Sequence, residues 1–147
     1  MNKSYLTAIT RKTPSVPTTW LLSQRLLVGR TLDYGSGKGT DSMFLGIESY
    51  DPHFQPDLPS GKFDTIICIY VLNVMEEAKA NEVVVKVKDL LNPNGRAYFA
   101  VRRDIKKEGI TSRNTFQRNV ILDLPIIRET SSYCIYSCPK SSSSFSS

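Results

Sequence analysis

Apolar residues along this chain come in short clusters whose spacing changes from one cluster to the next. Trp20, Leu21, Leu22, Leu26 and Leu27 recur at helical intervals. A short helix is expected there, capped by Thr18 or Thr19 and ended by Gly29. Arg30-Thr-Leu-Asp-Tyr34 reads as a short buried strand, Thr40 to Leu45 as one or two helical turns, and Ile47 to Asp51 as a second short strand stopped by Pro52. Residues 52–62 hold three prolines and a glycine and are expected to form a loop with barely any room for a strand. Phe63 to Val74 is the most apolar run, the pattern of a central parallel strand buried on both faces. Glu76 to Leu91 reads as a helix: Val83, Val84, Val87, Leu90 and Leu91 form one stripe, acids open it and lysines close it. Asn92-Pro-Asn-Gly95 is a turn leading into a strand from Arg96 to Val101. Residues 103–118 are polar and basic, a loop. Val120 to Leu124 and Tyr133 to Tyr136 are expected as closing strands, an antiparallel pair at one edge.

Strands and helices that alternate at this spacing predict an α/β fold: an open, mostly parallel sheet with helices on both faces and an antiparallel C-terminal edge. It is abbreviated, because the first helix and the region for a third strand are short. With 147 residues there is room for one domain. The expected division is an arm and cap helix at 1–28, where Pro14 and Pro17 interrupt a polar stretch, a ligand-binding domain at 29–139, and a disordered serine tail at 140–147.

Composition narrows the classes. No window approaches the roughly 18 uninterrupted apolar residues of a membrane span, and residues 1–13 carry no signal-like apolar run, so no membrane partner and a cytoplasmic location are expected. Cys68, Cys134 and Cys138 with one histidine do not make a structural zinc site, so idle or buried thiols and no metal are expected. Charge is unevenly placed. Residues 1–30 carry five Lys/Arg and no acid, residues 31–101 six against ten Asp/Glu, and residues 102–118 six against two. An acidic middle flanked by basic segments points to an anionic partner.

The candidate chemistry lies in Leu32-Asp-Tyr-Gly-Ser-Gly-Lys-Gly-Thr-Asp41. A strand ends, glycines make a tight turn and a helix begins, so that backbone amides can approach a ligand closely. A dinucleotide fingerprint would need Gly or Ala at position 40, where Thr40 stands. Glycines instead alternate at 35, 37 and 39, with Asp33 two positions before the first. This resembles the first motif of class I S-adenosylmethionine (SAM)-dependent methyltransferases, whose domain is Rossmann-like. A carboxylate there suits the SAM amino group, a cation, and would repel a pyrophosphate. The resemblance implies SAM as cofactor, held by Asp33, Tyr34, Gly35, Ser36, Gly37, Gly39, Asp51, Pro52 and Tyr70, with Asp51 accepting from the ribose hydroxyls. Asp57 or His53-Phe54 are expected to line the adenine. The run ending at Tyr70-Val-Leu-Asn73 resembles the family's fourth strand and following loop. Leu72 there is expected in the core.

The same resemblance implies methyl transfer to a nitrogen or oxygen, with Tyr70, Asn73 and Asp104 as catalytic candidates and His53 as a further base. Asn-Pro-Pro-Tyr and Asp-Pro-Pro-Tyr are absent, as is Pro-Cys, which disfavours amino-methylation of adenine or cytosine and cytosine C5 chemistry. Arg11, Lys12, Arg102, Arg103, Arg113 and Arg118 are expected to hold an anionic acceptor, nucleic acid or nucleotide ahead of an anionic small molecule. The alternative is a non-catalytic methyltransferase-like subunit that binds SAM or nucleic acid. Thr10-Arg-Lys-Thr-Pro14, Tyr50-Asp-Pro-His53 and Val101-Arg-Arg-Asp104, taken with Leu32–Gly35 and Tyr70–Asn73, are also similar to DNA phosphorothioation-associated methyltransferase domains.

Overall fold

The apolar run that starts at Phe63 lies at the centre of a six-stranded sheet. The computed structural model describes residues 13–110 and 115–140, so Arg11, Lys12, Arg113 and the serine tail lie outside the described residues. Strands β1 (Thr31–Tyr34), β2 (Glu48–Tyr50), β3 (Phe63–Ile69), β4 (Leu91–Arg102), β7 (Ile126–Glu129) and β8 (Tyr133–Pro139) form the sheet. Their order is β2-β1-β3-β4-β8-β7. β2, β1, β3 and β4 are mutually parallel, and β8 is antiparallel to both β4 and β7. β7 therefore points the same way as β4, and the reversed strand β8 is inserted between them. A separate ribbon pairs β5 (Gly109–Ile110) with β6 (Phe116–Gln117).

Side chains alternate between the two sheet faces, as the pleat requires. One face collects Ile66 and Cys68 of β3, Phe99 and Val101 of β4, and Cys134 and Tyr136 of β8, covered by Ala80, Val83 and Val87 of helix α3 (Glu77–Asp89). The other collects Ile67, Tyr98, Ala100 and Ile135, covered by Leu21 of helix α1 (Val16–Ser23), with Leu45 of helix α2 (Thr40–Leu45) packed alongside. Helices thus cover both faces, as the pattern predicted. All three cysteines are free and buried. Among the described residues no helix is long and apolar enough to cross a membrane.

Four boundaries differ from expectation, each for a local reason. α1 begins earlier, at Val16, because Pro17 sits in the first turn, where its missing N–H is no loss. It also ends earlier, with Arg25 in the left-handed region at φ 58°. The run 63–74 is a strand only to Ile69: Tyr70 turns the chain at φ 61°, and Leu72–Val74 form a single 3-10 turn. Leu72 is fully buried, as expected. The Asn92–Gly95 turn is absorbed into β4 as a bulge, since Phe63 pairs with Leu91 but Thr65 with Arg96. Val120–Leu124 is not a strand. Its alternation is real, with Val120 buried and Ile121 exposed, but it comes from irregular chain packed on the α3 side of the sheet beside Leu122 and Leu124. The edge strand falls instead at Ile126–Glu129. Lys140, placed in the tail by the sequence pattern, donates from its backbone to Gly95 O and from Nζ to Lys88 O.

Candidate cofactor site

The site is built where β1 and β3 end and the chain order along the sheet reverses, the crevice at which open α/β sheets bind ligands. Asp33 is the third residue of β1, locked in register with Ser49 of β2 and Ile67 of β3, and is 3% exposed. Burial pushes its carboxyl up to about 8, with Asp41 and then Asp51 adding repulsion. Among the described residues no cation offsets that repulsion, and no hydrogen bond is donated to the Asp33 carboxylate. A buried anionic centre of this kind favours a cationic ligand group.

The glycine turn that follows takes left-handed backbone at Gly35 (φ 81°), Gly37 (φ 58°) and Gly39 (φ 83°). At Gly35 a second constraint applies, because a Cβ there would collide with a γ-methyl of Val71. Gly35→Ala is therefore expected to lower stability by about 2 kcal/mol or more, the left-handed penalty plus the clash. Urea unfolding measures this, and a loss under about 0.5 kcal/mol would contradict it.

Four of the loop amides, those of Gly35, Ser36, Gly37 and Gly39, are already taken up within the protein. Gly35 N and Ser36 N donate to Tyr50 O at 2.7 and 2.9 Å, and Gly39 N donates to Ser36 O at 3.0 Å. Gly37 N donates to Asp51 Oδ1 at 2.9 Å, and His53 N and Phe54 N donate to Asp51 Oδ2, each at 3.0 Å. Asp51 thus binds its own loop with three of roughly four acceptor positions, which leaves capacity for about one ribose hydroxyl rather than two. Among side chains of the loop, Ser36 Oγ is buried without a hydrogen-bond partner.

Beside this loop opens a cleft of about 170 Å³. Tyr34, Gly35, Tyr50 and Pro52 form one side, and Val71, Met75 and Val83 the other, with Lys79 at the rim. The Tyr34 and Tyr50 rings meet at 5.0 Å, and burial, then the neighbouring Tyr50, pushes the Tyr34 hydroxyl up to about 12. Residues 52–62, beyond β2, form no strand and no helix. Neither His53, Phe54 nor Asp57 lines the cleft. The Met75 and Val83 wall escaped sequence reading, since both residues looked like ordinary members of a helix and its approach.

The acceptor-side candidates lie at and just beyond the ends of β3 and β4. Tyr70 stands at the end of β3 in strained left-handed backbone, held by Tyr70 N to Ala100 O at 2.8 Å. Such strain in a non-glycine residue, of order 1–3 kcal/mol, is characteristic of functional positions. Asn73 makes two structural hydrogen bonds. It is 2% exposed, Nδ2 donates to Arg118 O at 2.9 Å, and Oδ1 accepts from Arg102 N at 2.7 Å. Asp104 is a poor base: its half-exposed carboxylate is ion-paired with Arg102 at 2.8 Å, which holds it below the usual carboxylate range. An exposed pair of this kind contributes about 0–1 kcal/mol. Asp104→Asn is accordingly expected to change stability by less than about 1 kcal/mol and turnover by less than about threefold. A hundredfold loss of turnover would restore its catalytic assignment.

The rim arginines are also engaged. Arg103 pairs with Glu129 at 3.0 Å, with its Nε buried and unpartnered, and Arg118 Nε donates to Met75 O at 2.6 Å. Arg102 and Arg103 each keep donors in excess of one carboxylate.

No family model and no curated protein matches the sequence. Solved structures do. One is the 1,6-didemethyltoxoflavin-N1-methyltransferase of Burkholderia thailandensis with bound 1,6-didemethyltoxoflavin and S-adenosylhomocysteine, similar at TM-score 0.62 and 15% identity over 83% of this chain and 76% of that one. Another is the magnesium protoporphyrin IX methyltransferase of Synechocystis PCC 6803 with bound S-adenosylhomocysteine, at TM-score 0.52 and 16% identity over 85% and 80%. A third, from work on conversion of a disulfide bond into a thioacetal group in echinomycin biosynthesis, matches at TM-score 0.51 and 16% identity over 63% of this chain, which spans about half, 52%, of that protein's length. The chain has the fold of the class I SAM-dependent methyltransferases. Nothing among these similarities supports the likeness to phosphorothioation-associated domains.

Proposed function

We propose that this chain binds SAM and transfers its methyl group to a nitrogen or oxygen of an anionic acceptor. The observation that carries this reading is the buried, uncompensated Asp33 carboxyl beneath three left-handed glycines, in a fold shared with SAM-dependent methyltransferases. Asp33 would take the amino group of the cofactor, and Ser36 Oγ a further polar atom beside it. Asp51 would accept one ribose hydroxyl. Tyr34, Tyr50 and Pro52 would face Val71 and Met75 across the nucleoside.

When bound, SAM supplies a methyl group already activated on a sulfonium. The remaining tasks for the protein are to align the acceptor and exclude water, and a strong base is not required. Tyr70 at the strand end is the side chain best placed for alignment. Arg102 and Arg103 are the acceptor's anion partners, because their half-exposed ion pairs are weak enough for a phosphate or carboxylate to compete. Nucleic acid or nucleotide stays ahead of a small anionic metabolite on the strength of the basic flanks at 1–30 and 102–118. The expected location remains the cytoplasm.

The second reading, a non-catalytic methyltransferase-like subunit, is favoured by two observations: Asn73 is committed to the backbone, and Asp104 is ion-paired. Methyl-labelled SAM incubated with RNA, DNA and metabolite pools separates the two. Label transferred to any pool supports the enzyme. Micromolar SAM binding with no transfer to any pool supports the binding subunit.

A further inference from the structure

The polar wall of the cleft has no role so far. Tyr34 and Tyr50 form an aromatic side, and Val71, Met75 and Val83 face them. Such a slot accepts a flat ring. Its volume, about 170 Å³, is well under the roughly 300 Å³ at which pockets begin to enclose a whole drug-sized ligand, so it holds one end of a larger molecule. Three charged residues of α3, Lys79, Glu82 and Lys86, complete the lining. Spaced three and then four residues apart, they lie with Val83 along one face of the helix. Lys79 Nζ stands 3.9 Å from Glu82 Oε1, an exposed and loose pair that contributes little by itself. Lys86 has no ion-pair partner among the described residues.

The pleat decides which end of the ligand this is. Asp33 pairs with Ile67, whose side chain belongs to the α1 face of the sheet, whereas Leu32 and Tyr34 belong to the α3 face. Asp33 and the cleft are thus on opposite sides of β1, and Gly35 at the turn between them is itself part of the cleft wall. A SAM molecule with its amino group at Asp33 crosses that turn and puts its flat end, the adenine, in the cleft. Along the edge that carries the 6-amino group, adenine presents an acceptor, a donor and an acceptor: N1, N6 and N7. A lysine only donates and a carboxylate only accepts, so Lys79, Glu82 and Lys86 present donor, acceptor and donor, the complementary order.

We propose that Glu82, flanked by Lys79 and Lys86, reads the 6-amino edge of the cofactor's adenine and makes the site selective for adenine over hypoxanthine. The inference rests on the SAM reading above and adds the residues that choose the base. Hypoxanthine keeps the ring system, the ribose linkage and N7, but carries an oxo group at position 6 and a proton on N1. It therefore turns an oxygen towards the Glu82 carboxylate and a donor towards a lysine, and repulsion replaces both bonds. Asp57 and His53-Phe54, expected at the adenine, do not line the cleft, and α3 supplies the polar groups in their place.

The test titrates the full wild-type chain, Glu82→Gln and the double variant Lys79→Met/Lys86→Met with S-adenosylhomocysteine and with S-inosylhomocysteine, its hypoxanthine counterpart. Wild type is expected to prefer S-adenosylhomocysteine about tenfold. Glu82→Gln, whose amide both donates and accepts, is expected to cut that preference below about twofold, mainly by binding the hypoxanthine ligand more tightly. The double variant is expected to weaken S-adenosylhomocysteine about fivefold. All three positions are exposed, and far-ultraviolet circular dichroism verifies that each variant is folded. Equal wild-type affinity for the two ligands, or a preference that Glu82→Gln leaves intact, overturns the proposal while the SAM reading stands. A double variant that binds S-adenosylhomocysteine as wild type does overturns the part given to the lysines. If wild type binds neither ligand, the SAM reading falls and this one with it.

Discussion

Replacing Asp33 with asparagine is expected to stabilise the chain above pH 8 while weakening SAM binding about a hundredfold, the cost of losing a charge-assisted partner in a dry site. The two effects have one origin. In the folded protein burial, with Asp41 and Asp51 nearby, raises the carboxyl from 3.8 to about 8. Between those values the folded chain keeps a proton that the unfolded chain has released, so stability falls as pH rises through that window and is lowest above it. Asparagine has no such proton, and its stability curve loses that slope. The expected gain at pH 9 is about 1–3 kcal/mol. Urea unfolding of both proteins at pH 5, 7 and 9 reads this out. Parallel curves for the two proteins would show that Asp33 is not buried as a lone acid.

Asn73→Ala is expected to lower stability by about 2–5 kcal/mol and to leave SAM affinity within about threefold in the folded fraction. The magnitude follows from two buried bonds, Arg102 N to Oδ1 and Nδ2 to Arg118 O, each of which strands a partner when the carboxamide is removed. Those bonds pin the end of β4 and the chain after β6 to the 3-10 turn beyond β3, so the loss is one of scaffold. Thermal or urea unfolding gives the stability, and calorimetry gives the affinity. A variant of unchanged stability that has lost all methyl transfer would return Asn73 to the catalytic role that its position at a strand end first suggested.

The parts of this protein legible from sequence are those in which local chemistry and tertiary environment agree. The Phe63 run could only be a buried strand, the α3 stripe matched its helical period, and Asp33 with alternating glycines marked the strand-to-helix turn. Where one pattern serves two structures, reading failed. Val120 to Leu124 alternates like a strand because irregular chain packed on a sheet face can also bury some residues and expose their neighbours. Asn73 and Asp104 sit at strand ends where catalytic groups sit, but partners distant in sequence, Arg118 among them, decide what they do. Asp41 is unreadable for the same reason, since it accepts from Ser15 and Thr18, more than twenty residues away. Asp51 ends the second short strand in the sequence pattern, yet nothing local to it announces that three amides occupy its carboxylate.

Isothermal titration of the wild-type chain with S-adenosylhomocysteine at pH 7, repeated in two buffers of different ionisation enthalpy, examines the anionic centre at its most exposed point. Asp33 is largely protonated at that pH when the site is free, and docking an ammonium group beside it drives the proton off. The expected result is saturable binding with release of about one proton per ligand. Absence of binding at millimolar ligand, or binding accompanied by proton uptake, would contradict it.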